Sequence, residues 1–214
     1  LDGGNFDWGK AGADRQPALN TPDPCYGGVV WDEQVTKNMG LPFAYLLKLR
    51  TTLLRDLGGA MSPFNAWMFI QGLETLPLRM REHANNAQKV AEFLASNKKV
   101  QSVTYPGLFE GAEKEKADKY MTGGYGALIG FELPGGKEAG SKFIDSLELL
   151  YHVANIGDSR SLAIHPATTT HSQLAPEEQL SAGVTPGYVR LSIGIENAED
   201  IIADISQAID KASK

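Results

Sequence analysis

The spacing of apolar residues predicts helices over much of the first hundred positions. Between residues 35 and 57 apolar side chains recur three and four positions apart, with a break at Gly40-Leu41-Pro42, which is typical of amphipathic helices. Ser62-Pro63 resembles a helix start. Residues 78–96 form the clearest helical pattern, and His83 lies on its apolar side. A histidine there is more typical of a packed core than of catalysis.

The first 24 residues show no periodicity and are rich in Gly, Asn, Asp and Pro. This composition predicts loops and turns, including a tight turn at Asp2-Gly3-Gly4. A domain rarely opens with so irregular a stretch, and the first residue is Leu1 rather than Met. We therefore expect the chain to be part of a longer polypeptide.

After residue 97 short apolar runs alternate with helical stretches. The predicted strands are 100–105, 127–133, 152–156, 161–165 and 188–193, and the predicted helices are 110–120, 137–149 and 198–212. This order predicts an α+β domain in which helices cover one side of a small, largely antiparallel sheet. We place the domain boundary near residue 96, which divides the chain into 1–96 and 97–214.

Composition narrows the functional classes. The 214 residues are 42% hydrophobic and 21% charged, which is typical of a soluble globular protein and not of a disordered or membrane-spanning one. The net charge of −6 argues against nucleic-acid binding. The single cysteine, Cys25, permits no intrachain disulfide and is compatible with a reducing cytoplasm.

Three segments could carry chemistry. Arg190 lies inside the alternating strand YVRLSI, where it either faces solvent, which the pattern alone favours, or binds an anion. The polar turn from Asn155 to Ser161 could offer backbone N–H groups to an anion or be an ordinary hairpin loop. His165 and His171 match no zinc motif, so we expect no metal and a turn ordered by hydroxyl hydrogen bonds instead.

Four stretches taken together resemble one family. They read DGGNFDW, GGAMSPFNAWMFIQGLETLPLRMREHANNAQKVAEFL, NIGDSRSLAIHPATTTHSQL and GYVRLSIGIENAEDIIADI, and they span nearly the whole chain. The sequence resembles the C-terminal half of the Cys/Met-metabolism enzymes that depend on pyridoxal 5'-phosphate (PLP). The resemblance implies an α/β fold of the aspartate-aminotransferase type (fold type I). Residues 1–96 would then be the end of the large PLP-binding domain with a linker helix, and 97–214 the small C-terminal α+β domain.

The polar turn resembles one branch of that family more than the others. The cystathionine branch typically reads SLGGxESL there, whereas this chain has Asn155 at the Ser position, keeps Gly157 and has Arg160 at the Glu position. These departures resemble the sulfhydrylase branch, which implies a transferase of methionine and homocysteine biosynthesis that replaces the acetate of O-acetyl-L-homoserine by sulfide. The alternatives are a methionine γ-lyase, an O-succinylhomoserine sulfhydrylase, or a non-catalytic oligomerisation or binding module.

The resemblance also implies roles for residues and partners. Arg190 would clamp the substrate's α-carboxylate, assisted by Asn155 or its backbone, while Thr170 and His171 would order a turn. The Schiff-base lysine is expected upstream of Leu1, because Lys10, Lys37 and Lys48 lack its sequence context. The chain then contains no catalytic residue and is inactive alone. Its cofactor-binding residues are unknown from sequence, and its implied partners are the N-terminal part of the polypeptide and a cytoplasmic homotetramer.

Overall fold

The structure, a computed structural model, describes residues 6–213. The chain separates into two compact units, divided between Phe69 and Ile70. The boundary predicted near residue 96 falls inside the second unit and remains a prediction about domains. The predicted turn at residues 2–4 lies outside the described residues.

The first unit is built from short helical segments. They are α1 (Trp8–Arg15), α2 (Pro17–Asn20), α3 (Ala44–Lys48), α4 (Arg55–Leu57) and π-type turns over Asp32–Asn38 and Leu49–Leu54. The prediction of loop and turn is therefore wrong over most of residues 8–20. The Asp7 carboxylate caps α1 by accepting from the Lys10 amide at 3.1 Å, and the Asn20 side chain donates to the Trp8 carbonyl at 2.9 Å. Both contacts are hydrogen bonds made by polar side chains, and the spacing of apolar residues does not reveal such bonds.

A partly buried ion pair lies beside the small core of this unit. Asp23 is 7% exposed and pairs with the Lys48 ammonium, and it accepts from the Trp31 indole at 2.8 Å. Lys48 foremost, and then Trp31, hold the pKa of Asp23 below its usual range. Leu19 and Val35 pack in the same cluster as Trp31.

Helix α5 (Pro63–Glu74) crosses the division between the units and confirms the helix predicted from Ser62-Pro63. Its large apolar side chains are all more than half exposed: Phe64, Trp67, Met68, Phe69, Ile70 and Leu73. They are distributed around the helix rather than on one face.

The second unit contains a five-stranded sheet. Its strands are β1 (Ser102–Thr104), β2 (Leu128–Glu132), β3 (Tyr151–His152), β4 (Leu162–Ile164) and β5 (Tyr188–Ser192). They lie in the order β1-β2-β5-β4-β3, and every neighbouring pair is antiparallel except β3 and β4. The predicted antiparallel character is confirmed. The strand predicted over 152–156 is shorter, because its last residues belong to the loop described below.

Helices pack on one face of this sheet. The helices of the unit are α6 (Leu76–Ser96), α7 (Gly111–Tyr120), α8 (Gly136–Asp145), α9 (Pro176–Ser181) and α10 (Ala198–Ala212). The core joins Leu94 of α6, Phe143 of α8 and Ile205 of α10 to Phe131 and Leu191 of the strands, all of them buried. The two ends of α10 match its prediction, whereas α9 was not predicted. Among the described residues, every helix is too short or too polar to span a bilayer.

Candidate anion-binding site

Strand β5 places one arginine at the centre of the sheet. Val189 and Leu191 are fully buried in the helix-covered core, and Arg190 and Ser192 therefore point to the opposite face. Arg190 lies in register with Gly130 of β2 and Ile164 of β4. It is half-buried, so the exposed-face interpretation favoured by the pattern does not describe it fully.

The polar loop, residues 154–161, is hydrogen-bonded to this face of the strand. Arg190 Nη2 donates to the carbonyls of Ala154 at 3.0 Å and Asn155 at 3.5 Å. The amide of Gly157 donates to Ser192 Oγ at 3.1 Å. The structure thus brings Arg190 and Asn155 together through the Asn155 backbone, while the Asn155 side chain is exposed.

Arg190 retains an unused donor. Its Nε is buried, and no described residue accepts a hydrogen bond from it. A buried guanidinium N–H without an acceptor is costly. A carboxylate beside it would accept that bond and balance the charge, and an arginine fork suits this geometry.

Tyr188 occupies the same face beside Arg190. A Cβ on Gly130 would lie 2.4 Å from the Tyr188 hydroxyl oxygen, so a larger residue there would require the Tyr188 ring to shift. Burial raises the pKa of Tyr188, although the nearby Arg190 charge acts in the opposite direction. The phenol is therefore neutral near neutral pH and can donate a hydrogen bond.

The outer part of the loop carries a second arginine with its own partners. Arg160 pairs with Asp158 at 3.4 Å and lies over the Tyr151 ring at 4.5 Å. Hydrogen bonds from the Arg160 backbone and then its side chain hold the pKa of Asp158 below its usual range. The Arg160 guanidinium thus contacts Asp158 and Tyr151, whereas the Nε of Arg190 has no acceptor among the described residues.

The two candidate histidines each lie within hydrogen-bond distance of a neighbouring threonine. His165 is fully buried, with Nδ1 at 2.8 Å from Thr168 Oγ1 and Nε2 at 2.8 Å from the Pro186 carbonyl, and burial lowers its pKa. His171 Nδ1 lies 2.9 Å from Thr170 Oγ1, as expected for residues that order a turn. Within residues 6–213 no group of three or more His, Cys, Asp or Glu side chains could hold a metal ion.

Sequence reasoning missed one residue of this region, Glu196. Its carboxylate accepts from the amide and hydroxyl of Ser161 at the end of the loop. Ser161 lies 35 residues earlier in the chain, so local spacing carries no signal of the contact. The contact follows only from the antiparallel pairing of β4 with β5.

The strand arginine and the loop beside it form a candidate anion-binding site on an α/β unit. Its donors suit a small carboxylate. In the described chain no lysine forms a hydrogen bond or ion pair with the polar loop or with β5, and the paired lysines have partners elsewhere. The unpaired Arg190 Nε is therefore the donor that this candidate site offers to a carboxylate.

Comparison with known proteins identifies the family. The model of the Cys/Met metabolism PLP-dependent enzymes matches residues 25–210, and the chain belongs to this family. The O-acetyl-L-homoserine sulfhydrylase of Leptospira meyeri is 52% identical over 98% of this chain and 48% of its own length. The O-acetyl-L-homoserine sulfhydrylase 1 of Thermus thermophilus is 46% identical, again over 98% of this chain and 48% of its length.

A solved structure agrees in fold. A Campylobacter jejuni protein named as an O-acetylhomoserine (thiol)-lyase superposes with a TM-score of 0.77 and 44% identity, over 92% of this chain and 45% of its own. That structure contains N'-pyridoxyl-lysine-5'-monophosphate. The fold is therefore the C-terminal part of the PLP-dependent fold type I, as the resemblance implied. The chain spans about half the length of the curated relatives it matches.

Proposed function

We propose that this chain is the C-terminal part of an O-acetyl-L-homoserine sulfhydrylase, which replaces acetate by sulfide at the substrate's γ-carbon and forms L-homocysteine. The proposal is supported by relatives of that name at up to 52% identity over 98% of the chain. The observation that carries it is the buried Arg190 Nε, which lacks an acceptor beside the polar loop.

In this proposal Arg190 binds the α-carboxylate of the amino-acid substrate. Two of its neighbours are fixed carbonyls, those of Ala154 and Asn155, so the guanidinium is oriented before substrate arrives. Pre-orientation reduces the entropy lost on binding. Holding the carboxylate leaves the α-carbon and the leaving group in a defined direction.

The lysine and the cofactor contacts come from elsewhere in the polypeptide. Bound PLP supplies the electron sink for the substrate's carbanion chemistry. We propose that the 214 residues alone neither hold PLP covalently nor turn over substrate. This is measurable as the absence of PLP absorbance after dialysis, with the full-length protein as control. Retained cofactor or turnover in the 214-residue chain contradicts this point.

Helix α5 supports the proposed partners. A helix that is apolar all round is normally buried, whereas the apolar side chains of α5 are exposed. We propose that the remainder of the polypeptide covers it, since the matched relatives are about twice as long. A homotetramer in the cytoplasm completes the proposal, and the free thiol of Cys25 is compatible with that compartment.

The decisive assay uses the full-length protein with sulfide and three substrates: O-acetyl-L-homoserine, O-succinyl-L-homoserine and L-methionine. We expect homocysteine to form fastest from the acetyl ester. A faster reaction of the succinyl ester, or cleavage of methionine, would assign the protein to the corresponding alternative activity. No turnover of any of them would favour a binding or oligomerisation module.

A further inference from the structure

We propose that Glu196 is a positioning residue that fixes the polar loop over Arg190 and thereby sets the affinity for the substrate carboxylate. This inference rests on the proposed function of Arg190. Glu196 itself has no contact with Arg190 among its hydrogen bonds, so it acts through the loop.

The Glu196 carboxylate binds both polar groups of one buried residue. Its Oε1 accepts from the Ser161 amide at 2.6 Å, and its Oε2 accepts from Ser161 Oγ at 2.9 Å. Ser161 is fully buried, and its Oγ also accepts from the Gly194 amide at 2.8 Å. A buried amide and hydroxyl that lost this acceptor would be left unsatisfied, which is costly.

The turn that carries Glu196 is packed tightly against the loop. A Cβ on Gly194 would lie 2.2 Å from Glu196 Oε2 and 2.4 Å from the Ser159 carbonyl oxygen. The Ile195 amide donates to that same carbonyl at 2.9 Å. The two backbones therefore approach as closely as a glycine permits.

Helix α6 holds this turn from the other side. Asn86 Nδ2 donates to the carbonyls of Gly194 at 3.2 Å and Glu196 at 2.8 Å. His83 Nδ1 lies 2.6 Å from the Ile193 carbonyl, which confirms its expected place in the core. The backbone of Glu196 is thus fixed by a long helix, and only its side chain reaches across to the loop.

Hydrogen bonds therefore hold the polar loop at both ends and in its middle. Arg190 binds its first two carbonyls, Ser192 binds the Gly157 amide, and Glu196 binds Ser161. Since the carbonyls of Ala154 and Asn155 orient the guanidinium, loosening the loop at Ser161 would also loosen Arg190. The structure assigns Glu196 to substrate binding through this chain of contacts.

The test uses the full-length, PLP-loaded protein with Glu196→Ala, Glu196→Gln and the matched control Glu199→Gln. Glu199 is also a glutamate and lies three residues away, exposed at the start of α10. Hydrogen exchange of residues 154–161 reports on the loop, and steady-state kinetics separate KM from kcat. Inhibition by L-homoserine and by its carboxamide, which lacks the negative charge, reports on carboxylate recognition.

We expect Glu196→Ala to accelerate exchange in the loop, to raise KM about tenfold, and to leave kcat within about threefold. The preference for L-homoserine over its carboxamide should fall by a similar factor, which a general loss of stability would not cause. Glu196→Gln retains the oxygen acceptor and should recover part of each effect. If Glu196→Ala does not fold, Glu196→Gln replaces it, and a rise in its KM of about threefold would support the inference. Glu199→Gln should match the parent protein.

Unchanged loop exchange in the Glu196 variants, or faster exchange without a change in KM and carboxylate preference, overturns the inference. Arg190→Lys, measured alongside, keeps the two proposals separate. If Arg190→Lys weakens carboxylate preference and the Glu196 variants do not, only the positioning role fails. If Arg190→Lys has no effect either, the proposed function of Arg190 fails as well.

Discussion

At the residue scale, three polar side chains connect segments of this unit that lie far apart in the sequence. Arg190, Glu196 and Asp204 all reach backbone groups of distant segments rather than other side chains alone. Losing such a contact lowers stability more when the partner group is buried, because a buried polar group without a hydrogen bond cannot bind water instead. Substitution at these positions should therefore have effects that differ from those of nearby exposed charges.

Replacing Arg190 tests the proposed site directly. In the full-length enzyme Arg190→Ala should raise KM. The substrate should lose about 1.5–3 kcal/mol of binding free energy, because the substitution removes a charge-assisted contact. Arg190→Lys keeps the charge and loses the fork, so its effect should be smaller but clear. Lys99→Ala, which removes an exposed ion pair in the same unit, is the control. A parental KM in Arg190→Ala would remove this residue from the site.

Asp204 predicts a specific dependence of stability on pH. Burial alone would raise its pKa, but the amides of Glu148, Leu150 and Leu149 donate to its carboxylate and bring the pKa below the ordinary 3.8. The carboxylate therefore stabilises the fold fully above pH 3.8, and this contribution is lost as the pH falls through the lower pKa of the folded state.

Asp204→Asn should lower the free energy of unfolding by about 1–3 kcal/mol near neutral pH, with a smaller difference from the parent in acid. Thermal unfolding of the full-length protein at several pH values measures this. Asp145→Asn, an exposed carboxylate at the end of α8, is the matched control. An Asp204→Asn difference that does not shrink in acid would argue against the charge as the cause.

At the element scale, helix α8 has a glycine, Gly140, where it packs against the His165 ring. A Cβ on Gly140 would lie 2.4 Å from His165 Nε2, and the His165 ring is held by its own hydrogen bonds to Thr168 and Pro186. Glycine in a helix interior usually costs stability relative to alanine. Here the close approach of a buried ring reverses that preference.

Gly140→Ala should consequently destabilise the protein by about 1–3 kcal/mol instead of stabilising its helix. The neighbouring Ser141→Ala, in the same helix, should lie within about 0.5 kcal/mol of the parent. The midpoints of chemical unfolding of the two variants in the full-length protein provide the comparison. A stabilised Gly140→Ala would mean that the His165 ring moves aside without cost.

At the scale of the whole molecule, the most prominent feature of α5 is its exposed apolar surface. Exposed apolar patches of this kind mark interaction surfaces. If the remainder of the polypeptide covers α5, the helix should be accessible in the 214-residue chain and protected in the full-length protein.

We expect the 214-residue chain to bind a hydrophobic dye strongly, and the full-length protein to bind it weakly. Trp67→Glu on α5 should reduce dye binding by the short chain and impair assembly of the full-length protein, as measured by light scattering. Tyr120→Glu, at an exposed aromatic residue of α7, is the control. Equal dye binding by both forms would contradict the proposed cover over α5.

Much of the second unit could be predicted from the sequence because its signals are local. The alternation in YVRLSI placed Arg190 and Ser192 on one face, and the isoleucine spacing predicted the inward face of α10. The short helices near residues 8–20 were missed because side-chain caps and a tertiary contact form them. Helix α9 was missed because its six residues are too few to show a period.

Motifs and period-two alternation involve neighbouring residues, so the resemblance to the family and the strand that carries the arginine are visible in the sequence. In the folded chain, Arg190 keeps a buried donor without an acceptor among the described residues, and Glu196 accepts two hydrogen bonds from Ser161 of the polar loop. Local patterns do not reveal these features because the residues involved lie far apart along the chain. Residues 154–161 meet 190–196 only when β4 pairs with β5, and burial then turns ordinary polar groups into groups that need a partner.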